Sequence, residues 1–117
     1  AEKLGADAIY VSGHGSRQFD SSPIPIEQLP KVRSILQKDT AVIFDTGIRN
    51  GEDIIKARCL GADLVMIGKP ALFSLGAEGM LGLIQMVNNL AKEIEIGMSQ
   101  MGVSDFNLLS KELIYNQ

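Results

Sequence analysis

The sequence of 117 residues contains no tryptophan, one cysteine and one histidine. The single cysteine, Cys59, excludes an internal disulfide, so we expect a reducing, cytoplasmic location. The net charge of −3 gives no support for nucleic-acid binding, and we predict no nucleic-acid partner. No apolar run is long enough to span a bilayer, and the first residues lack the pattern of a signal peptide. We therefore expect a globular protein without a transmembrane segment.

The only histidine follows an apolar run and stands between two glycines, in the segment SGHGSRQFD (residues 12–20). Glycine has no Cβ and is costly to fix, so Gly-His-Gly at the end of a strand indicates the close approach of a ligand. The imidazole of His14 suits a general base, and Arg17 suits the binding of a carboxylate. The residues alone leave two interpretations open: a base beside an anion clamp, or a loop histidine beside a surface arginine.

Three short apolar runs, at residues 8–11, 41–44 and 64–67, are continuous rather than alternating. Continuous runs of this length are typical of strands that are buried on both faces of a parallel sheet. The tetrapeptide LGAD precedes the first run at residues 4–7 and the third run at residues 60–63. This partial repeat predicts the same helix end, tight turn and buried strand twice, two βα units apart.

Helical patterns separate the three runs. The first helix should begin near Ile26 or Glu27, because Pro30 is tolerated only in a first turn. The second helix should extend over residues 51–60, with Asn50 as its N-cap. Strands and helices therefore alternate along the chain, as in α/β proteins.

Two further helices should follow the third run. A short final helix, with Ser104 as candidate N-cap, should extend from about Asp105 to Tyr115. Before it, one apolar stripe predicts a long amphipathic helix whose methionines suit packing between helices rather than metal or cofactor binding. The members of that stripe are Met80, Leu83, Ile84, Val87, Leu90, Ala91, Ile94 and Met98.

Three strands with their helices do not close a barrel, and an eight-stranded βα barrel typically needs about 250 residues. As an open sheet, the three strands leave two unpaired edges. We therefore interpret residues 1–117 as the C-terminal part of a larger barrel domain.

The second and third runs end in segments that combine glycine with a cation, namely DTGIR (residues 45–49) and GKP (residues 68–70). In βα barrels the loops after the last two strands frequently bind phosphate, through backbone N–H groups and a nearby positive charge. Arg49 and Lys69 are thus candidate phosphate ligands. The alternative is that both are solvated loop charges.

The segments SGHGSRQFD, FDTGIRNG and IGKP resemble the active-site and cofactor segments of the FMN-dependent 2-hydroxy acid dehydrogenase and oxidase family. That family includes glycolate and lactate oxidases, lactate and mandelate dehydrogenases, and the flavin domain of flavocytochrome b2. The three segments stand in the family's order, with similar spacing, over nearly the whole chain. The resemblance implies a (β/α)8 TIM barrel in which this chain forms about strands six to eight.

The resemblance also implies roles for individual residues. His14 would be the catalytic base and, together with Arg17, would bind a small 2-hydroxy acid substrate, with Arg17 on its carboxylate. The substrate would lose two protons and two electrons to become a 2-oxo acid, with His14 taking one of the protons and FMN as the electron acceptor. The cofactor would lie against Ser12, Asp45, Gly47, Arg49, Gly68 and Lys69, the last five chiefly near its ribityl chain and phosphate.

The sequence departs from the family pattern at five positions. The family usually has Asn at Gly13, Gly or Ala at Ser16, Gly or Ser at Thr46, and Arg at both Asn50 and Lys69. A lysine at residue 69 keeps the charge but loses the bidentate fork of arginine. The family's flavin lysine, the aspartate behind the histidine and the substrate tyrosines come from earlier strands. We therefore expect the isolated segment to be inactive and to self-associate.

Two other classes stay open from the sequence. Another FMN- or phosphate-binding barrel, such as a relative of type 2 isopentenyl diphosphate isomerase or of IMP dehydrogenase, would share the late loops without needing His14 and Arg17. A non-catalytic truncated product would instead oligomerise, or bind a partner through its open sheet edges.

Overall fold

A computed structural model describes residues 1–114. Its sheet contains three parallel strands in the order β1-β2-β3, namely Ala8–Val11 (β1), Ala41–Phe44 (β2) and Leu64–Val65 (β3). Val11 pairs with Phe44, and Phe44 pairs with Val65. The predicted parallel sheet is confirmed, and all three strands end at the same edge of it.

β3 is shorter than the predicted run of residues 64–67. The backbone N–H of Met66 still donates to the carbonyl of Phe44 at 2.9 Å. β2 itself ends at Phe44, so the residues after Met66 have no neighbouring strand with which to continue the ladder. The prediction of a four-residue third strand was wrong for this reason.

Three helices accompany the sheet: Pro25–Ile35 (α1), Gly51–Cys59 (α2) and Lys69–Met101 (α3). α1 begins one residue before the predicted start at Ile26, but Pro30 was wrongly expected in its first turn. Pro30 lies in the helix interior, where it has no N–H to donate to the preceding turn. The helix forms because its apolar side packs on the sheet, and Leu29 is fully buried there.

The hydrophobic core lies between one face of the sheet and the helices. It joins Leu29 of α1, Val42 and Phe44 of β2, Ala57 of α2 and Leu90 of α3, all of them buried. Along β2 buried residues alternate with half-buried ones, so the helices cover one face only. The continuous apolar runs predicted strands covered on both faces, and within residues 1–114 the second face is left open.

The helix ends and turns of the LGAD repeat and the start of α2 fold as the sequence predicts, but the two strands that follow the repeat are not buried as predicted, since Tyr10 of β1 and Leu64 of β3 are exposed. Gly5 and Gly61 each follow a helical segment and adopt left-handed backbone, with φ of 82° and 106°, which glycine tolerates best. At the start of α2, the Asn50 side chain accepts from the Asp53 N–H at 2.9 Å, and the Asp53 carboxylate accepts from the Asn50 N–H. This reciprocal capping box confirms Asn50 as the N-cap.

α3 begins earlier than the predicted amphipathic stripe, directly after the loop that follows β3. Its backbone breaks at Glu78 and Gly79, where Gly79 adopts a φ of 61°. In the second part of the helix, Leu90 is buried, and Met86 and Ile94 pack against the core. Much of the stripe is exposed within residues 1–114, as at Met80, Ile84 and Val87.

The predicted helix from Asp105 to Tyr115 is wrong in the part that the structure describes. Two short 3₁₀ turns, Phe106–Leu108 and Lys111–Leu113, stand in its place. Leu109 between them is extended and buried against Ile55 and Cys59, so its burial overrides a continuous helix. Asp105, rather than the predicted Ser104, caps the first turn by accepting from a backbone N–H. Tyr115 lies outside the described residues.

α3 also corrects the expectation that no segment could cross a membrane. Between Pro70 and Ala91 the only charged residue is Glu78. The helix contains an 18-residue window of mean hydropathy 1.3, none of it buried within residues 1–114. By length and composition it is therefore long and apolar enough to span a bilayer. Helices that pack inside proteins share these two properties.

The start of α2 lies directly against α3. The N–H of Gly51 donates to the Glu93 carboxylate at 2.7 Å. A Cβ at residue 51 would stand 2.6 Å from Glu93 Cβ and 2.6 Å from the backbone nitrogen of Ile94. Only glycine therefore lets these two helices approach as closely as they do.

We predict that Gly51→Ala lowers the free energy of unfolding of the chain by about 1–3 kcal/mol, the usual effect of overpacking. The control is Gly76→Ala in α3, where an added Cβ meets nothing within 4 Å. That change should raise stability by about 0.5–1 kcal/mol through helix propensity. Urea unfolding measures the stability of both variants. Equal urea midpoints for the two variants would contradict the close contact between α2 and α3.

Candidate active site

A cleft of 610 Å³ lies at the carboxyl ends of the three strands. In open parallel sheets this is the edge where ligands bind, because the loops that follow neighbouring strands meet there. The parallel register brings three distant loops of this chain together at that edge. The cleft is lined by all eight residues that the sequence singled out, which are Ser12, His14, Arg17, Asp45, Gly47, Arg49, Gly68 and Lys69.

The histidine loop follows β1 and has an unusual backbone. His14, Gly15 and Ser16 have φ of 53°, 65° and 57°, so three consecutive residues are left-handed. Such values are uncommon for residues other than glycine and cost roughly 1–3 kcal/mol each. The loop is held by a bond from the His14 N–H to the Ser12 hydroxyl at 3.1 Å, and by one from the Ser16 N–H to the Gly13 carbonyl at 2.8 Å. His14 is left exposed at the cleft.

Thr46 connects the histidine loop to the end of β2. Its hydroxyl accepts from the N–H groups of Gly13 at 2.9 Å and Gly15 at 3.4 Å, and it donates to the Asp45 carboxylate at 2.7 Å. Thr46 has a φ of 77°, a true outlier for a β-branched residue. Sequence reasoning noticed Thr46 only as a departure from a family pattern, and no signal in the sequence indicated these bonds.

Asp45 stands at the centre of a cluster of hydroxyl groups. The Tyr10 hydroxyl donates to one of its carboxylate oxygens at 2.6 Å, and Thr46 donates to the other. Burial raises the pKa of Asp45, but hydrogen bonds from Ser12, Tyr10 and Thr46, with the nearby His14, outweigh burial and hold the pKa below its ordinary value. Asp45 is therefore ionised at neutral pH.

Tyr10 is a cleft residue that sequence reasoning missed. Its hydrogen bond to Asp45, helped by desolvation and by the carboxylate charge, raises the pKa of the phenol above its ordinary value of 10.0. The signal that would have found it is the alternation of β1, because Tyr10 lies two residues before Ser12 and therefore on the same face.

Three cations line the cleft without an acidic partner. Within residues 1–114, none of the salt bridges involves Arg17, Arg49 or Lys69. Arg49 donates to the Ile48 carbonyl at 3.2 Å, and Lys69 donates to the Gly15 carbonyl at 3.3 Å. A cleft with three cations and one ionised carboxylate suits anionic ligands.

The starts of α2 and α3, both near the cleft, differ in whether their backbone N–H groups are already hydrogen-bonded to side chains. At α2, protein carboxylates already accept from the N–H groups of Arg49, Asn50 and Gly51. At α3, Gly68 is the N-cap and provides no side-chain hydrogen bond to the first turn. The start of α3, beside Lys69, is therefore the better position for a phosphate.

Glycines leave room beside these donors. A Cβ at Gly47 or at Gly68 would meet nothing within 4 Å, and the φ of 92° at Gly47 favours glycine. A flat or chain-like anionic ligand can therefore approach the backbone at both loops. The cations, the open glycines and the start of α3 together fit a phosphate-bearing cofactor.

Comparison with known proteins decides the family. The model of the FMN-dependent dehydrogenase family matches residues 1–116. The chain belongs to this family. Its cofactor is accordingly FMN, whose phosphate fits the cations and the helix start described above. The sequence-based identification of the family and of its cofactor is confirmed.

Individual relatives agree with this assignment. The 2-hydroxyacid oxidase of Dictyostelium discoideum is 36% identical over 117 residues, which are 100% of this chain and 30% of the relative. A soluble mutant of the membrane-associated (S)-mandelate dehydrogenase from Pseudomonas putida superposes with a TM-score of 0.93 at 34% identity, over 99% of this chain and 33% of that one. A mutant flavocytochrome b2 with pyruvate bound superposes with a TM-score of 0.91 at 36% identity, over 97% of this chain and 30% of that one. The chain thus spans about a third of the proteins that it matches.

We predict that Tyr10 ionises above pH 10.0 and that Asp45→Asn moves its pKa back towards that value, because an amide oxygen can accept from the phenol but carries no charge, so the charge-assisted part of the hydrogen bond is lost. The raised pKa means that the folded protein favours the protonated phenol. The contribution of Tyr10 to the stability of the folded protein is therefore complete below pH 10.0 and is lost as pH rises through the pKa of Tyr10 in the folded protein. Absorbance at 295 nm measures this in a Tyr115→Phe background, which leaves Tyr10 as the only tyrosine. A pKa that does not respond to Asp45→Asn would exclude the bond.

Proposed function

We propose that this chain forms strands six to eight, the C-terminal part, of a (β/α)8 barrel enzyme that oxidises a small 2-hydroxy acid to a 2-oxo acid. The three parallel strands with one open face, and the coverage of about a third of each relative, support a partial barrel. The names of the relatives, a 2-hydroxyacid oxidase and a mandelate dehydrogenase, support the substrate class. Pyruvate, which the flavocytochrome b2 structure contains, is a 2-oxo acid.

One observation carries this proposal. His14 and Arg17 line the same cleft as the glycine and cation loops after β2 and β3. This shared cleft supports the proposal that His14 acts as a base and Arg17 as a carboxylate ligand beside the groups that suit the cofactor's phosphate. A phosphate-binding barrel of another kind needs the late loops but not the histidine and arginine.

The chemistry of the chain's own residues follows from their types. Arg17 binds the substrate carboxylate through charge-assisted hydrogen bonds and so orients the carbon that is oxidised. His14 accepts a proton from the substrate as general base. FMN, when bound, would accept the two electrons together with the second proton of the substrate. Asp45, which lies near His14, stays ionised, so the cleft holds one carboxylate charge on the side of the histidine loop.

The same proposal gives the remaining residues their places along the cofactor. Arg49 and Lys69, with the start of α3, hold the phosphate. Ser12, Asp45 and Gly47 lie closer to the flavin and its ribityl chain, where Gly47 leaves space and the polar residues can bond hydroxyl groups. Gly68, the N-cap of α3, lies near the ribityl chain and the phosphate. Lysine at residue 69 supplies charge without the fork of an arginine.

The catalytic roles are tested in the full-length protein that contains this chain. His14→Gln should lower turnover about 10²–10⁴-fold with FMN still bound, because the general base is lost. Arg17→Met should weaken both substrate binding and turnover, by about 1.5–3 kcal/mol for the lost charged hydrogen bond. Steady-state kinetics with lactate, mandelate and glycolate measure both effects. Turnover of His14→Gln close to that of the wild type would remove the assignment.

The cofactor roles are tested by comparing two flavins. Arg49→Ala and Lys69→Ala should each weaken FMN binding about tenfold or more and leave riboflavin binding nearly unchanged, because only FMN carries the phosphate. Lys56→Ala is the matched control, since Lys56 is an exposed lysine of α2 paired with Glu52. Equal losses for FMN and riboflavin, measured by fluorescence titration, would place these two cations elsewhere.

We also propose that the 117-residue chain self-associates and is inactive alone, because its apolar surface is unpartnered. Leu72, Phe73 and Leu81 are 66%, 70% and 74% exposed, and both edges of the sheet are open within residues 1–114. Sedimentation velocity should show mass that rises with concentration. A monomer at all concentrations that oxidises a 2-hydroxy acid would overturn this part of the proposal. The cytoplasmic location predicted from the sequence stays a prediction.

A further inference from the structure

We propose that Thr46 is a positioning residue that fixes the backbone of the histidine loop and, through it, the placement of His14. The inference rests on the proposed function for the role of His14 as base, whereas the contact between Thr46 and the loop stands apart from it. Thr46 acts through the loop and is not itself a catalytic residue.

The hydroxyl of Thr46 uses its full hydrogen-bonding capacity. It accepts two N–H groups, from Gly13 and Gly15, and donates its own proton to Asp45. A hydroxyl has one proton and two lone pairs, so no capacity is left over. The two N–H groups are those of the residues on either side of His14, and one oxygen atom therefore holds both ends of the turn that carries the imidazole.

The orientation of that hydroxyl is itself fixed. Its proton goes to one oxygen of Asp45, whose other oxygen accepts from Tyr10. An ionised carboxylate can accept hydrogen bonds but cannot donate them. The Thr46 proton must therefore point towards Asp45, and the lone pairs of the hydroxyl point towards the loop. Tyr10 in β1 and Asp45 directly after β2 thus support the contact, and β1 and β2 are paired strands.

The backbone supports the same conclusion. Thr46 keeps a φ of 77° although β-branched residues rarely adopt it. Strained conformations of this kind persist where surrounding contacts over-determine them, and they cluster at functional sites. The loop that Thr46 holds is also left-handed at His14 and Ser16, so it needs such an external support.

Gly13 shows how tightly the loop is seated. A Cβ at residue 13 would lie 3.4 Å from both Cγ2 and Oγ1 of Thr46 and 2.6 Å from Cγ of Pro25. The absence of a side chain at Gly13 therefore lets its N–H reach the threonine hydroxyl.

The test uses the full-length protein and three substitutions. Thr46→Val removes the hydroxyl and keeps the shape of the side chain, Thr46→Gly removes both the hydroxyl and the backbone strain, and Thr46→Ser keeps the hydroxyl. The control is Thr40→Val, which removes the hydroxyl that bonds Glu2 at the other end of β2. Hydrogen exchange resolved to the amides of Gly13 and Gly15, and steady-state kinetics, are measured for each protein.

We expect the amides of Gly13 and Gly15 to exchange about tenfold faster in the Val and Gly variants, and within about twofold of wild type in Thr46→Ser. Turnover should fall about tenfold in the Val and Gly variants, with the KM for the 2-hydroxy acid changed less than threefold, because Arg17 still binds the carboxylate. Serine should restore turnover, and Thr40→Val should leave the exchange of both amides unchanged.

Unchanged exchange in Thr46→Gly, or exchange as fast in Thr46→Ser as in Thr46→Val, would overturn the inference. If Thr46→Val does not fold, Thr46→Gly gives the same comparison, because glycine adopts the left-handed backbone without strain. Faster exchange in a protein that oxidises no 2-hydroxy acid would contradict the proposed function and leave the contact of Thr46 with the loop supported.

Discussion

The parallel register of three short strands is the constraint on which the rest of this structure depends. β1 and β2 pair from Ala8 with Ala41 to Val11 with Phe44, and β3 joins at the same end. The segments that begin at Ser12, Asp45 and Met66 therefore leave the sheet side by side. A shift of one residue would turn Tyr10 and Asp45 apart, because neighbouring residues of a strand face opposite sides. Residues more than 50 positions apart in the sequence meet in one cleft for this reason.

The elements most accessible to sequence reasoning were those encoded by local chemistry. Asn50 with Asp53 defines a helix start through a capping box, and Gly5 and Gly61 end helical turns with left-handed backbone. The apolar runs located the strands because each is four residues long and bounded by turn residues, a length typical of strands and too short for a helix. The eight candidate residues of the cleft followed from where those strands end, together with the resemblance to one family.

The features of the fold and of the cleft that the sequence did not predict depend on contacts between distant residues, and no local pattern encodes such contacts. The predicted final helix does not form, because Leu109 is buried against α2. β3 is shorter than predicted, because β2 has already ended. The hydrogen bonds of Tyr10 with Asp45 and of Gly13 with Thr46 exist only because β1 and its following loop lie beside the end of β2. Pro30 stands in a helix interior, since the burial of Leu29 outweighs the missing hydrogen bond. In each case tertiary packing overrides a local preference.

The central claim is that this chain contributes the base and the carboxylate ligand to an FMN enzyme that oxidises 2-hydroxy acids. Anaerobic mixing of the FMN-loaded full-length protein with lactate, mandelate or glycolate tests it most directly, through the absorbance of the flavin. The account predicts that at least one of these acids bleaches the flavin and yields the corresponding 2-oxo acid in equal amount. A flavin that stays oxidised with all three acids, in a protein that retains stoichiometric FMN, would contradict it.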